Sequence, residues 1–228
     1  MKKTIMLSLA VLLLFGCSVK EEQKENYSDE MKITHAVDLS KEDGADSVER
    51  DGDQKESPYF KHPDFYNMKS TSTLTLLPKF KTIQQTSEWS CGVDSALMVL
   101  QYYGKLGEYN EETLAQFRTN KLKSEATSLK SMIQIFEGVG GFKIHSTYDY
   151  KESEYEKISL SMIQDYLKKG IPVMVAWNDW GGHWQVIIGY DTMGTETTQD
   201  DVLIVADSYD TTDHNQDGYG IYPAERLD

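Results

Sequence analysis

Cys91 stands in the run Glu88-Trp89-Ser90-Cys91-Gly92, where a polar loop gives way to an apolar stretch of helical period. Backbone N–H groups in the first turn of a helix have no carbonyl partner and favour negative charge, so a thiol placed there ionises readily and becomes a nucleophile. Gly92 reads as leaving the approach to the sulfur open. A single cysteine is more often a buried packing residue, so its partners decide the matter. His183 opens one apolar run and Asp207 closes the next. If these runs form an antiparallel hairpin closed by the polar loop Asp191 to Asp201, with Ile187 opposite Leu203 and Gln185 opposite Val205, then His183 faces Asp207 directly. A carboxylate there fixes one ring nitrogen and leaves the other for a thiol. Gln85 lies six residues before Cys91. Its side-chain amide, with the Cys91 backbone N–H, can meet the oxyanion formed when a thiolate attacks a carbonyl. Gln84 satisfies the same requirement on composition.

Other side chains with chemical potential carry weaker patterns. The chain has only two cysteines, Cys17 and Cys91, and no paired histidine spacing, which disfavours zinc and excludes a disulfide framework. His35, His62 and His145 read as surface or core histidines, and Trp177, Trp180 and Trp184 as packing around the base. No cofactor is required by the Cys91 chemistry. A structural calcium ion is the one addition the sequence offers: Asp213, Asn215 and Asp217, followed by Gly218, match the opening of a calcium loop. The pattern fails at its twelfth position, Ala224, and because short acidic matches are common a plain acidic surface turn without metal is the preferred account of the same residues.

The elements that must position these groups follow from periodicity. A helix is expected over Cys91 to Tyr103, ended by Gly104. A second is capped by Asn110 and buries Leu114 and Phe117. A third runs from Ser128, buries Leu129, Met132, Ile133 and Phe136, and ends at Gly138. A strand is expected around Phe142 to Tyr148, then a helix from Ser159 to Lys169. Ile171 to Trp177, His183 to Tyr190 and Val202 to Asp207 read as strands. Helices precede strands, so the fold class expected is α+β with segregated elements.

The first residues have a different character. Lys2 and Lys3, the apolar run Ile5 to Phe15, and Gly16 before Cys17 form a secretory signal too short for the roughly 20 residues that a membrane span needs. Leu14-Phe15-Gly16-Cys17 resembles a bacterial lipobox, which implies acylation of Cys17 and a lipid anchor holding the protein to a membrane on the extracytoplasmic side of a bacterial cell envelope. The organisation expected is a signal and lipobox over 1–17, an acidic flexible tether over 18–73, and one domain over 74–228. With 23 Lys and Arg against 37 Asp and Glu, the formal charge of −14 repels phosphate backbones and excludes nucleic acid as a partner.

The run Gln85 to Gly92, then Gly182-His183-Trp184 leading into Gly189-Tyr190-Asp191, then Ala206-Asp207, resembles the peptidase C39-like family of papain-like cysteine peptidases over about residues 78 to 210. The resemblance implies Cys91 as nucleophile, His183 as general base and acid, Asp207 as the orienting residue and Gln85 as oxyanion donor, acting on a peptide or protein substrate. Many relatives carry an acidic residue before the cysteine, where this chain has Ser90. The best-known relatives are fused to export transporters, and nothing here resembles a transporter, so their leader-peptide substrate does not carry over. Hydrolysis through an acyl-enzyme is the leading function. A transglutaminase-like acyltransferase and a binding protein that keeps the fold without turnover are the alternatives.

Overall fold

The computed structural model describes residues 31–34, 63–121, 125–178, 181–211 and 216–227. Cys17, the residue expected to carry the lipid, nearly all of the expected tether before residue 63, Trp180, and Asp213 and Asn215 of the calcium pattern lie outside them.

Helix α1 (Cys91–Tyr102) is the centre of the molecule: every residue from Cys91 to Leu100 is buried. A helix with no exposed face over its first turns must be enclosed on all sides, and Gly104, at φ +65, then turns the chain away. Helix α2 (Glu111–Ala115) is short and owes its start to a reciprocal cap, in which Asn110 Oδ1 accepts from Thr113 N–H at 2.9 Å and Thr113 Oγ1 accepts from Asn110 N–H at 2.9 Å. Helix α3 (Leu129–Val139) is capped by Ser128 and runs one residue past the expected stop. Gly138 is needed inside it, since a Cβ there would stand 2.1 Å from the Phe117 ring. Gly140, at φ +78, is the true terminator. Helix α4 (Leu160–Lys168) is capped by Ser159 and buries Leu160, Ile163 and Leu167.

The sheet is antiparallel throughout and consists of β1 (Leu74–Leu76), β2 (Val173–Trp177), β3 (His183–Asp191), β4 (Val202–Asp207) and β5 (Tyr219–Pro223). β3 is its hub, with β4 along one edge, and β2 and β1 end to end along the other. Strands β1 and β5 go beyond the sequence reading, and the α+β class holds. Among the described residues no helix is long and apolar enough to cross a membrane.

Two expectations need correction. The hairpin register differs by two residues: Gln185, not His183, lies opposite Asp207, and Ile187 lies opposite Val205, with an irregularity between Ile187 and Gly189. The extra residue at that bulge shifts the pairing beyond it. On the His183 side of the bulge the slip is two, which preserves the face on which each side chain stands, whereas a slip of one would have reversed it. Residues Phe142 to Tyr148 are not a strand. Phe142 instead packs edge-on against Phe136 of α3 and against Tyr103, at 5.1 and 5.7 Å between ring centres, and the segment takes no place in the sheet.

The packed body also takes in residues upstream of Leu74. Met31 and Ile33 are buried and clasp Thr82 through Ile33 N–H to Thr82 O, 2.8 Å, and Thr82 N–H to Met31 O, 3.1 Å. Phe65 lies 5.8 Å from the Tyr219 ring.

Candidate active site

The first turn of α1 presents Cys91, and its cap, Ser90, leaves that turn uncapped by any side chain. The Ser90 hydroxyl donates backward to Ser87 O at 3.1 Å instead. Unpaired N–H groups therefore remain at the thiol, the condition that favours negative charge there.

His183 is the first residue of β3, and its Nε2 lies 2.7 Å from Asp207 Oδ1. The pair meets diagonally across β3 and β4 rather than directly, because Gln185 occupies the opposed position. Gln185 donates from Nε2 to Asp207 Oδ2 at 2.5 Å and to the Tyr222 hydroxyl at 3.1 Å, while its Oε1 accepts the Trp177 indole N–H at 2.6 Å. Asp207 Oδ1 also accepts Tyr209 N–H at 2.8 Å. Both carboxylate oxygens are thus held, and the imidazole is oriented with Nδ1 left over for the sulfur. Burial alone would lower the basicity of His183, but hydrogen bonds to Asp207 and Cys91, with their negative charges, outweigh it and push the imidazole up to about 10. At neutral pH the ring is an imidazolium next to the sulfur.

Gln85 is buried and lies on the loop before α1. Its Nε2 donates to Ser87 O at 2.7 Å and its Oε1 accepts the Ser208 hydroxyl at 2.9 Å; Gln85 N–H donates to Ser208 O at 2.9 Å. The residue after the end of β4 therefore clamps the glutamine loop to the same sheet that carries His183 and Asp207. Gln84 points elsewhere, its Nε2 donating to Gln216 O at 3.3 Å, so of the two glutamines only Gln85 is tied to Ser87 and Ser208, beside the thiol turn. Cys91, His183, Asp207 and Gln85 are all brought to one locus.

Gly92 does not leave an open path. A Cβ on it would stand 2.6 Å from Thr127 Cβ and 3.0 Å from Trp184 Cδ1; the glycine exists so that these two side chains can close on the turn. Trp184 is secured by its indole N–H to Thr127 O at 2.7 Å. On its far side lies a mostly apolar cavity of about 680 Å³, walled by Val99, Leu129, Phe136, Val173, Met174 and Trp184.

Three further polar residues lie behind the turn and belong to no motif of the sequence. Asp94, one turn after Cys91, is fully buried, and among the described residues neither of its oxygens accepts an ordinary hydrogen bond. Burial, and then the neighbouring Glu111 carboxyl, hold its carboxyl well above the usual range, so it keeps its proton and puts no negative charge under the sulfur. Glu111 opens α2 and accepts Thr86 N–H at 3.0 Å and the Thr86 hydroxyl at 2.5 Å, which fixes the residue next to Gln85. Arg118 is buried beside Thr127 and Trp89. The only hint of their roles was a polar type at an apolar place in the pattern, as with Asp94 inside an otherwise apolar helix.

Of the three calcium-pattern residues Asp217 is described. It is buried, its Oδ1 accepts Tyr219 N–H at 2.9 Å, and its carbonyl accepts the Thr82 hydroxyl at 2.6 Å. Among the described residues no group of three or more acidic, histidine or cysteine side chains is arranged to hold a metal.

A buried central helix that opens on a cysteine, set against an antiparallel sheet that brings up a histidine and an aspartate, is the architecture of the papain-like cysteine peptidases. The chain belongs to the Peptidase_C39 like family, whose model matches residues 78–224. Its function is accordingly of peptidase type. No curated protein and no solved structure matched the chain.

Proposed function

We propose that the protein is a cysteine peptidase or amidase that hydrolyses a peptide or amide bond through a thioester acyl-enzyme. The observation that carries this reading is the His183–Asp207 pair, 2.7 Å apart, directed at a cysteine in the uncapped first turn of a buried helix. The Cys91 thiolate adds to the substrate carbonyl carbon, and the electron pair of the C=O moves onto oxygen. Gln85, whose amide keeps one N–H beyond its bond to Ser87, and the Cys91 backbone N–H receive that oxyanion. The tetrahedral species collapses, the C–N bond breaks, and the imidazolium of His183 gives its proton to the leaving amine. His183, now neutral, takes a proton from water as the hydroxide adds to the thioester carbonyl. Collapse releases the acid product and restores the thiolate–imidazolium pair. Asp207 keeps the ring in one orientation through both halves.

The same reading places the enzyme outside the cytoplasm, anchored by lipid on Cys17, with a peptide or protein substrate. The lipobox-like Leu14-Phe15-Gly16-Cys17 supports the anchor, and the expected N-terminal species by mass spectrometry is an acylated Cys17. The test of activity is digestion of a mixed-sequence peptide library, with new N-termini mapped by mass spectrometry. Wild type is expected to yield a reproducible set of cuts that Cys91→Ala abolishes. Identical products from both proteins, or none from wild type after thiol reduction, would remove the hydrolase reading.

A further inference from the structure

The buried cation behind the nucleophile's turn has no part in the scheme above. Arg118 is 1% exposed, one of the largest fully enclosed side chains in the molecule. Its guanidinium spreads over three separate stretches of chain. Nε donates to Lys121 O at 3.1 Å, and Nη2 donates to the same carbonyl. Nη1 donates to Glu125 O at 3.0 Å and to Thr127 Oγ1 at 3.1 Å. The guanidinium carbon lies over the Trp89 ring, 4.8 Å from its centre.

These contacts converge on Cys91 from both sides in sequence. Trp89 is two residues before the nucleophile. Thr127 closes on Gly92, the residue after it, with Thr127 Oγ1 only 2.8 Å from the place a Cβ on Gly92 would occupy. Thr127 also holds Trp184, the neighbour of His183, through its carbonyl. Consecutive strand residues face opposite ways, so His183 and Trp184 engage the two residues of the turn from the two faces of β3, and Arg118 backs the Trp184 side.

We propose that Arg118 is a positioning residue for the nucleophile: its planar fork locks Trp89 and Thr127 around the Cys91–Gly92 turn, and its fixed positive charge sits behind the sulfur as a second cation beside His183. Two properties of arginine make it suited to this. The rigid fork spans several acceptors while stacking on an indole, which an ammonium cannot reproduce, and the charge does not titrate away in the working range. Burial draws on the guanidinium's basicity, and negative charge at Glu125 and at Cys91 opposes that. The charges then alternate inward from the sheet: Asp207 negative, His183 positive, the sulfur negative, Arg118 positive.

This inference rests on the thiolate reading under Proposed function, and its test separates the two. In the full-length protein, alkylation of Cys91 is followed on its own peptide by mass spectrometry, with iodoacetate and iodoacetamide in parallel. The ratio of the two rates cancels the fraction of thiolate and reports the local charge. Wild type is expected to prefer the anionic reagent relative to a free cysteine derivative. Arg118→Gln is expected to lower the ratio about tenfold, whereas Arg118→Lys keeps it within about twofold but melts earlier, since the ammonium loses the fork. In His183→Ala a preference for iodoacetate is expected to remain, supplied by Arg118 together with the uncapped helix start; its loss would count against the proposal even if Arg118→Gln does not fold. A ratio unchanged in folded Arg118→Gln, or a preference abolished by His183→Ala alone, would overturn the proposal. Wild-type Cys91 that reacts no faster than the free thiol at pH 6 would instead defeat the thiolate reading and leave peptide cleavage to be judged by the library digest.

Discussion

The two flanks of the Cys91 turn are held by different physics. On the hairpin flank, His183, Gln185 and Asp207 stand on neighbouring strands, so a ladder of backbone bonds fixes their spacing before any side chain acts. On the loop flank, the described residues 85–90, 118–121 and 125–127 have no ladder, and side chains do the fixing: Glu111 on Thr86, Ser208 on Gln85, Arg118 on Trp89 and Thr127. The hairpin flank supplies the proton chemistry, and the loop flank supplies the shape and field in which the sulfur works. A change on the hairpin flank should therefore appear in the pH profile, and one on the loop flank in stability and turnover together.

The largest effect expected is on the hairpin flank. Asp207→Asn should lower kcat/KM on the order of 10³–10⁴-fold by leaving the ring in the wrong orientation and tautomer. It should also move the alkaline limb of the rate profile, which in wild type reflects loss of the imidazolium near 10, down toward the unperturbed value near 6.5. The stability sign follows from the same shift. Folding raises the affinity of His183 for its proton, so the stabilisation is full below the unfolded value and disappears as pH rises through about 10. Melting curves of wild type and Asp207→Asn should be well separated at pH 6 and converge toward pH 10. A pH-independent gap would mean that the pair is structural only.

A smaller loss is expected from Gly92→Ala on the loop flank. The new Cβ meets Thr127 and Trp184 inside contact distance, and both are tied, so overpacking should cost about 1–3 kcal/mol by denaturant unfolding. Activity should fall with little change in the shape of the pH profile. A profile displaced as far as that of Asp207→Asn would show that the two flanks are not separable.

The smallest effect, and of opposite sign, belongs to Asp94→Asn. Because Asp94 holds its proton in the folded state and loses it when unfolded, it favours unfolding increasingly as pH rises above the ordinary carboxylate range. Asparagine keeps a donor toward Glu111 without that penalty. The variant should melt with wild type near pH 4 and slightly above it at pH 7, with activity retained. Lower stability at pH 7 would show that Asp94 is ionised where it lies.

The same contrast explains what could be read in advance. Cys91, His183, Asp207 and Gln85 were legible because nucleophile, base, carboxylate and amide each sit beside a local signal: a helix start, a strand start, a strand end and a polar loop. The faces of β3 and β4 on the His183 side of the bulge were legible because alternation has a period of two, which survives the two-residue register difference there. Glu111, Arg118 and Thr127 left no local trace, since their value lies in contacts to residues that only folding brings near.

By itself, then, the sequence determined the α+β class, the helix that opens on Cys91 and the side chains available for thiol chemistry, because period, capping and residue type act over a few neighbouring residues. The register at the bulge, the absence of a strand at Phe142 to Tyr148, the closure of Thr127 and Trp184 over Gly92, and the proton kept on Asp94 were decided by the tertiary structure. Each depends on packing and dielectric set by distant segments, and those do not exist until the core has formed.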